Sequence, residues 1–197
     1  MKDSLPSHKY IDIQVISAQQ LTLTDLQSIQ ALCTRAFEDD VWCDYDYLKS
    51  AFHVIGRVDE RIVSHALWTD RILIVDGQSP LKTAYLEYVA TEPALQGQGL
   101  ASQLLRFFIE YIQNDSLLRT QLHIDKPYQL AALAPEDSDF YQRLGWELCA
   151  DDLAIRLEGG QTIATPDDDV MVYRLARTPI FSSTGALSAE YREGEWW

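Results

Sequence analysis

The segment with the clearest chemical meaning is Gln96-Gly97-Gln98-Gly99-Leu100-Ala101-Ser102, between a strand-like run (Leu81 to Thr91) and a helix-like run ending near Ile112. A strand that passes through a glycine turn into a helix leaves the turn amides and the first helical N–H groups unpaired. The helix dipole adds a preference for negative charge at that end. Glycine lets the backbone approach such an anion closely. The turn lacks the Gly-Lys-Ser/Thr of a P-loop. It also lacks a dinucleotide fingerprint, because Ser102 stands at the third small position and no acidic residue ends the next strand-like run. Q-x-x-G-x-A remains, met by Gln96, Gly99 and Ala101. Glu87 lies inside the preceding strand-like run, and Tyr141 on a short helix-like run further on. Period-two alternation places Glu87 and Val89 on one side of their strand.

The elements that must position these groups follow from periodicity. Ile11, Ile13 and Val15 alternate with polar residues as a first strand, and Thr24 with Gln27 has capping-box spacing ahead of Leu26, Ile29, Leu32 and Phe37. A second helical segment is expected around Asp44 to Phe52. Two strands follow between His53 and Val75, split by Asp59-Glu60, and Asp76-Gly77 is a hairpin signal. Leu100, Leu104, Phe108 and Ile112 mark one face of the helix after the glycine turn. Tyr128 to Ala134 reads as a strand and Pro135 to Leu144 as a short helix stopped by Gly145. Strands come next near Trp146–Cys149, Leu153–Leu157 and Val170–Leu175. The expected order, β-α-α-β-β-β-α-β-α-β-β, is a mixed α/β single domain with a core over about 11–176. Its aromatic tail, about 177–197, should pack back because Tyr191, Trp196 and Trp197 are out of place in a disordered end.

Composition narrows the function. The 197 residues carry 16 Lys plus Arg against 30 Asp plus Glu, a net charge of −14, which repels nucleic acid and suits cationic partners. No apolar run has membrane-helix length, and the polar first ten residues do not read as a signal peptide, so a cytoplasmic location is expected. Cys33, Cys43 and Cys149 read as reduced core thiols, and the four histidines show no metal-ligand spacing. No metal is expected.

The Gln96-Gly99-Ala101 turn resembles the pyrophosphate-binding signature of the GCN5-related N-acetyltransferase superfamily. It follows Val89-Ala90-Thr91-Glu92-Pro93 and precedes Phe140-Tyr141 and Leu144-Gly145-Trp146 in that superfamily's order. A narrower resemblance, to the aminoglycoside 2′-N-acetyltransferases, rests on Tyr85-Leu86-Glu87, Tyr128-Gln129-Leu130, Leu144-Gly145-Trp146, Thr165-Pro166-Asp167-Asp168-Asp169 and the tail Tyr191-Arg192-Glu193-Gly194-Glu195-Trp196-Trp197. This implies the superfamily's mixed-sheet fold with flanking helices, acetyl-coenzyme A as co-substrate and an aminoglycoside acceptor, acetylated at its 2′-amine to give resistance. Homodimers are common among the resembled enzymes.

By the same resemblance, Glu87 is the remote base working through a water, the Val89 N–H holds the oxyanion, and Tyr141 faces the coenzyme sulfur as donor or acid. The backbone of Val89 and Thr91 would hold the pantetheine arm, and Gln96, Gly97, Gln98, Gly99, Leu100, Ala101 and Ser102 the diphosphate. The polycationic acceptor would meet Asp40, Asp44, Glu87, Asp168, Glu195 and the terminal carboxylate of Trp197. Two departures from the resembled pattern are Ala134 in place of a serine and Glu195 in place of an aspartate. Another cationic amine as acceptor (a polyamine, a peptide N-terminus, an amino sugar) and a binding module without turnover are the alternatives.

Overall fold

Strand β1 (Asp12–Ser17) lies antiparallel to β2 (Phe52–Val58), which pairs with the long β3 (Arg61–Val75), and β3 in turn with β4 (Leu81–Thr91). The computed structural model describes residues 11–43, 45–149, 152–182, 184–194 and 196–197. Helix α1 (Leu23–Phe37) is capped by Thr22, two residues before the expected cap Thr24. Thr22 accepts the Asp25 N–H at 3.1 Å, while the Thr24 carbonyl takes the Ser28 hydroxyl at 2.8 Å. Asp25 is held below the usual carboxylate range, chiefly by its hydrogen bond from Arg57. The helical segment expected over Asp44 to Phe52 is one 3-10 turn, Asp46–Ser50, and Phe52 already belongs to β2. A segment this short cannot offset helix nucleation; the buried Leu48 side chain ties it down instead.

Helices α2 (Leu100–Ile112) and α3 (Asp115–Gln121) follow the glycine turn. The sequence reading had no counterpart for α3, which Asn114 caps. Then come β5 (Leu130–Leu133), α4 (Ser138–Gln142), β6 (Glu147–Cys149), β7 (Leu153–Arg156), β8 (Thr162–Ala164), β9 (Val170–Arg174) and β10 (Leu187–Glu190). The sheet order is β6-β9-β5-β4-β3-β10-β7-β8, with β2 and β1 continuing from β3. β8 and β10 were not foreseen. β10 enters between β3 and β7, antiparallel to one and parallel to the other.

Each face of the sheet has its own core. Leu104, Phe108 and Ile112 of α2 bury against Trp68, Ala84 and Leu86, the face that the four-residue spacing anticipated. Ile29, Leu32 and Cys33 of α1 pack on Ile55 and Ala90 across the sheet. Burial raises the Cys33 thiol to about 12 and Cys149 to about 11, so both stay protonated and inert. The tail packs back as expected: Trp197 is buried with Leu73, Tyr85 and Ala189, and its indole N–H donates to Thr165 Oγ1 at 2.7 Å.

Candidate active site

Two features of β4 build the site. Its parallel pairing with β5 covers only Thr83–Tyr85 against Leu130–Ala132, so among the described residues no strand pairs with Leu86 to Thr91 on that edge. Across its other edge the register with β3 slips between His65 and Leu67: Ala90 pairs with His65 and Glu87 with Leu67, leaving Tyr88 and Val89 opposite Ala66. Tyr88 takes the left-handed conformation, φ 52°. This bulge overturns the expectation that Glu87 and Val89 share a side. Val89 packs into the α2 core with Leu86, whereas Glu87 and Tyr88 turn to the opposite face. An inserted residue breaks period-two alternation in this way.

The gap opens into a cleft of about 740 Å³. Its wall includes Glu87, Val89, Thr91, Gln96, Gly97, Gly99, Leu100, Ala101, Ser102, Ala134, Tyr141 and Trp197, so most of the anticipated coenzyme residues come together. Gln98 is exposed beside them. Gly97 and Gly99 have φ 72° and 80°, and among the described residues nothing lies within 4 Å of where a Cβ would stand on either. Leu100, Ala101 and Ser102 precede the first intrahelical bond, Gln103 N–H to the Gly99 carbonyl at 3.0 Å, and no side chain among the described residues caps them. The Gln96 carboxamide donates to the Thr91 carbonyl at 3.2 Å and ties the turn to the end of β4. An uncapped helix start behind two open glycines fits a diphosphate.

Glu87 is mostly buried, and burial raises its carboxyl above the ordinary value while the Arg192 guanidinium pulls it back. Arg192 Nη1 stands 2.5 Å from Glu87 Oε1 and stacks over the Tyr47 ring at 4.2 Å. The buried hydroxyls of Tyr47 and Tyr85 have no well-formed hydrogen bond among the described residues, though both sense the Glu87 charge. Tyr141 packs edge-on to Trp146, and burial, then Glu136 and Asp137, raise its phenol. It stays protonated, which makes it a hydrogen-bond donor before it is an acid.

The expected acceptor carboxylates are more scattered. Asp40 and Asp168 are exposed and do not line the cleft, although Asp168 adds to the upward push on the Tyr85 phenol. Asp44 and Glu195 lie outside the described residues. Arg192 and Tyr47, which pack against Glu87 and each other, and Arg71, which holds the tail, were not singled out in the sequence. Arg71 is almost fully buried and holds the tail through the Trp196 and Glu190 carbonyls, both at 2.7 Å. A second Arg in β3, followed by the apolar run Ile72 to Val75, was the available signal. Among the described residues, no cluster of His, Cys, Asp and Glu could hold a metal, and no helix is long and apolar enough to cross a membrane.

Fold and cleft together define a coenzyme A-dependent acyltransferase architecture. The sequence pattern of the acetyltransferase (GNAT) domain matches residues 17–149, and the chain belongs to that family. Among solved structures, the Escherichia coli GNAT family N-acetyltransferase YhbS, in complex with CoA, is 22% identical, with TM-score 0.58, coverage 98% of this chain and 94% of its own. Escherichia coli ElaA is 16% identical, with TM-score 0.53 and coverage 84% and 100%. A probable N-acyltransferase from Enterococcus faecalis V583 is 18% identical with TM-score 0.52; the match covers 70% of this chain but only 32% of that longer one. Likeness at these identities speaks for the fold.

Proposed function

We propose that this chain transfers the acetyl group of acetyl-coenzyme A to a primary amine. The observation that carries the reading is one cleft into which the uncapped glycine turn, the unpaired stretch of β4, Glu87 and Tyr141 all open. The turn amides and the start of α2 bind the diphosphate, and the free edge of β4 aligns the pantetheine arm beside Thr91. The ammonium loses a proton to Glu87 through a water that the Tyr47 and Tyr85 hydroxyls can help to hold. The amine nitrogen bonds to the thioester carbon and the Val89 N–H holds the oxyanion; the C–S bond then breaks with Tyr141 donating to the departing thiolate, and the extra proton shed by the nitrogen restores the Tyr141 phenol. Acetyl-coenzyme A consumption with an amine panel, with Glu87→Gln as control, tests this. Loss of about 10²–10⁴-fold in rate is expected, and a rate within about twofold of the parent would remove Glu87 from the mechanism.

A narrower reading, an aminoglycoside acceptor modified at its 2′-amine with resistance as the outcome, is favoured by one observation: the tail returns so that Trp197 forms part of the cleft wall. Rates with paired 2′-amino and 2′-hydroxy aminoglycosides test it, since equal rates exclude that regiochemistry. Thermal shifts with tobramycin and kanamycin separate binding from turnover.

A further inference from the structure

A chain of two buried histidines ends on the bulge. His65, fully buried in β3, has Nδ1 3.2 Å from the Tyr88 carbonyl oxygen, and its Nε2 is 3.0 Å from Nδ1 of His53 in β2. A carbonyl only accepts, so His65 Nδ1 carries the hydrogen. Its Nε2 then presents a lone pair, and His53 Nδ1–H donates to it. Burial favours the neutral forms that this tautomer chain requires. Trp42 covers the assembly, its ring centroid 4.9 Å from Tyr88 and 6.4 Å from each imidazole.

We propose that His65, oriented by His53, is a positioning residue: by anchoring the Tyr88 carbonyl it aims the Val89 N–H into the cleft as the oxyanion donor. The proposal rests on the acetyl-transfer reading above. Tyr88 C=O and Val89 N–H belong to one planar trans peptide, so they point in opposite directions. With the carbonyl drawn towards β3, the N–H is directed to the edge that β5 has left and that lines the cleft. A tyrosine at φ 52° is strained and persists only where its surroundings hold it. The hydrogen bond from His65 supplies that hold and also polarises the peptide, strengthening its N–H as a donor.

The test compares His65→Asn, whose carboxamide N–H can replace Nδ1–H, with His65→Leu, which has no donor. His65→Leu is expected to lower kcat about 10²-fold, the scale of losing an oxyanion donor, with coenzyme A affinity by calorimetry nearly unchanged. His65→Asn should recover most of that loss. Equal losses in two folded variants, or coenzyme A affinity falling in step with kcat, would overturn the proposal. Should His65→Leu fail to fold, the parent chain decides. The Val89 amide proton should move downfield when a ketone analogue of acetyl-coenzyme A binds, and an unmoved resonance refutes the assignment. Absence of turnover with every amine would instead count against the proposed function, while the Val89 shift still reports the geometry.

Discussion

Arg192 reaches from the segment after β10 to Glu87 in the middle of β4, and the two side chains, each 10% exposed, form an ion pair of 2.5 Å. Burial pushes the Glu87 carboxyl up and the guanidinium pulls it down, burial being the larger influence. The acid limb of the kcat/KM profile is therefore expected above the ordinary glutamate value. Arg192→Gln removes the downward pull, so that limb should move to higher pH. A limb that stays in place, or moves to lower pH, would mean that another group carries the profile.

Gly99 adopts φ 80° at the start of α2, in the left-handed region. A side chain there costs about 1–2 kcal/mol, and the open space beside it is where the diphosphate would lie. Gly99→Ala should weaken coenzyme A binding by roughly tenfold and leave the KM of the amine unchanged. Calorimetry checks the first and steady-state kinetics the second.

Trp197 joins the tail to the body by burial and by its bond to Thr165. Trp197→Ala should cost about 3–5 kcal/mol of stability and raise the KM of the amine more than that of acetyl-coenzyme A. Thr165→Val isolates the hydrogen bond and should cost about 1 kcal/mol. Equal changes in both KM values for Trp197→Ala would assign the tail to the fold alone.

Burial lowers His53 to about 4 and holds His65 well below 6.5. In the unfolded chain both take up protons as pH falls through 6.5, and the folded chain resists. Stability should thus be lost progressively below pH 6.5, the His53 share levelling off below about 4 after about 3 kcal/mol. Asp25, lowered from 3.8, acts in a more acid window. Urea midpoints measured from neutral pH downwards should fall in the parent and fall less in His53→Phe.

The glycine turn, the α2 face and most strands were legible because local periodicity and turn chemistry specify them. The catalytic detail was not, because two one-residue slips in pairing decide it. The Asp59-Glu60 turn without a bulge would set His65 opposite Val54, on the other face from His53. The slip at Gly56/Arg57 pairs His65 with Ile55, and the two imidazoles meet. The slip at Tyr88 parts Glu87 from Val89 in the same way. Arg192 was in plain view in the tail, but its partner lies far away in sequence and only the β10 register brings them together.

Among the described residues, the β7–β8 hairpin joins the strand ladder through β10 alone, although Arg156 Nη2 also donates to the Ile72 carbonyl of β3 at 2.6 Å. A ribosome must therefore deliver residues 187–190 before that half of the sheet can dock, and until then the second half of β3 offers a bare edge beside a bare edge of β7. Closure of this half of the sheet consequently waits on β10, and a nascent chain halted before it would present two sticky margins to chaperones.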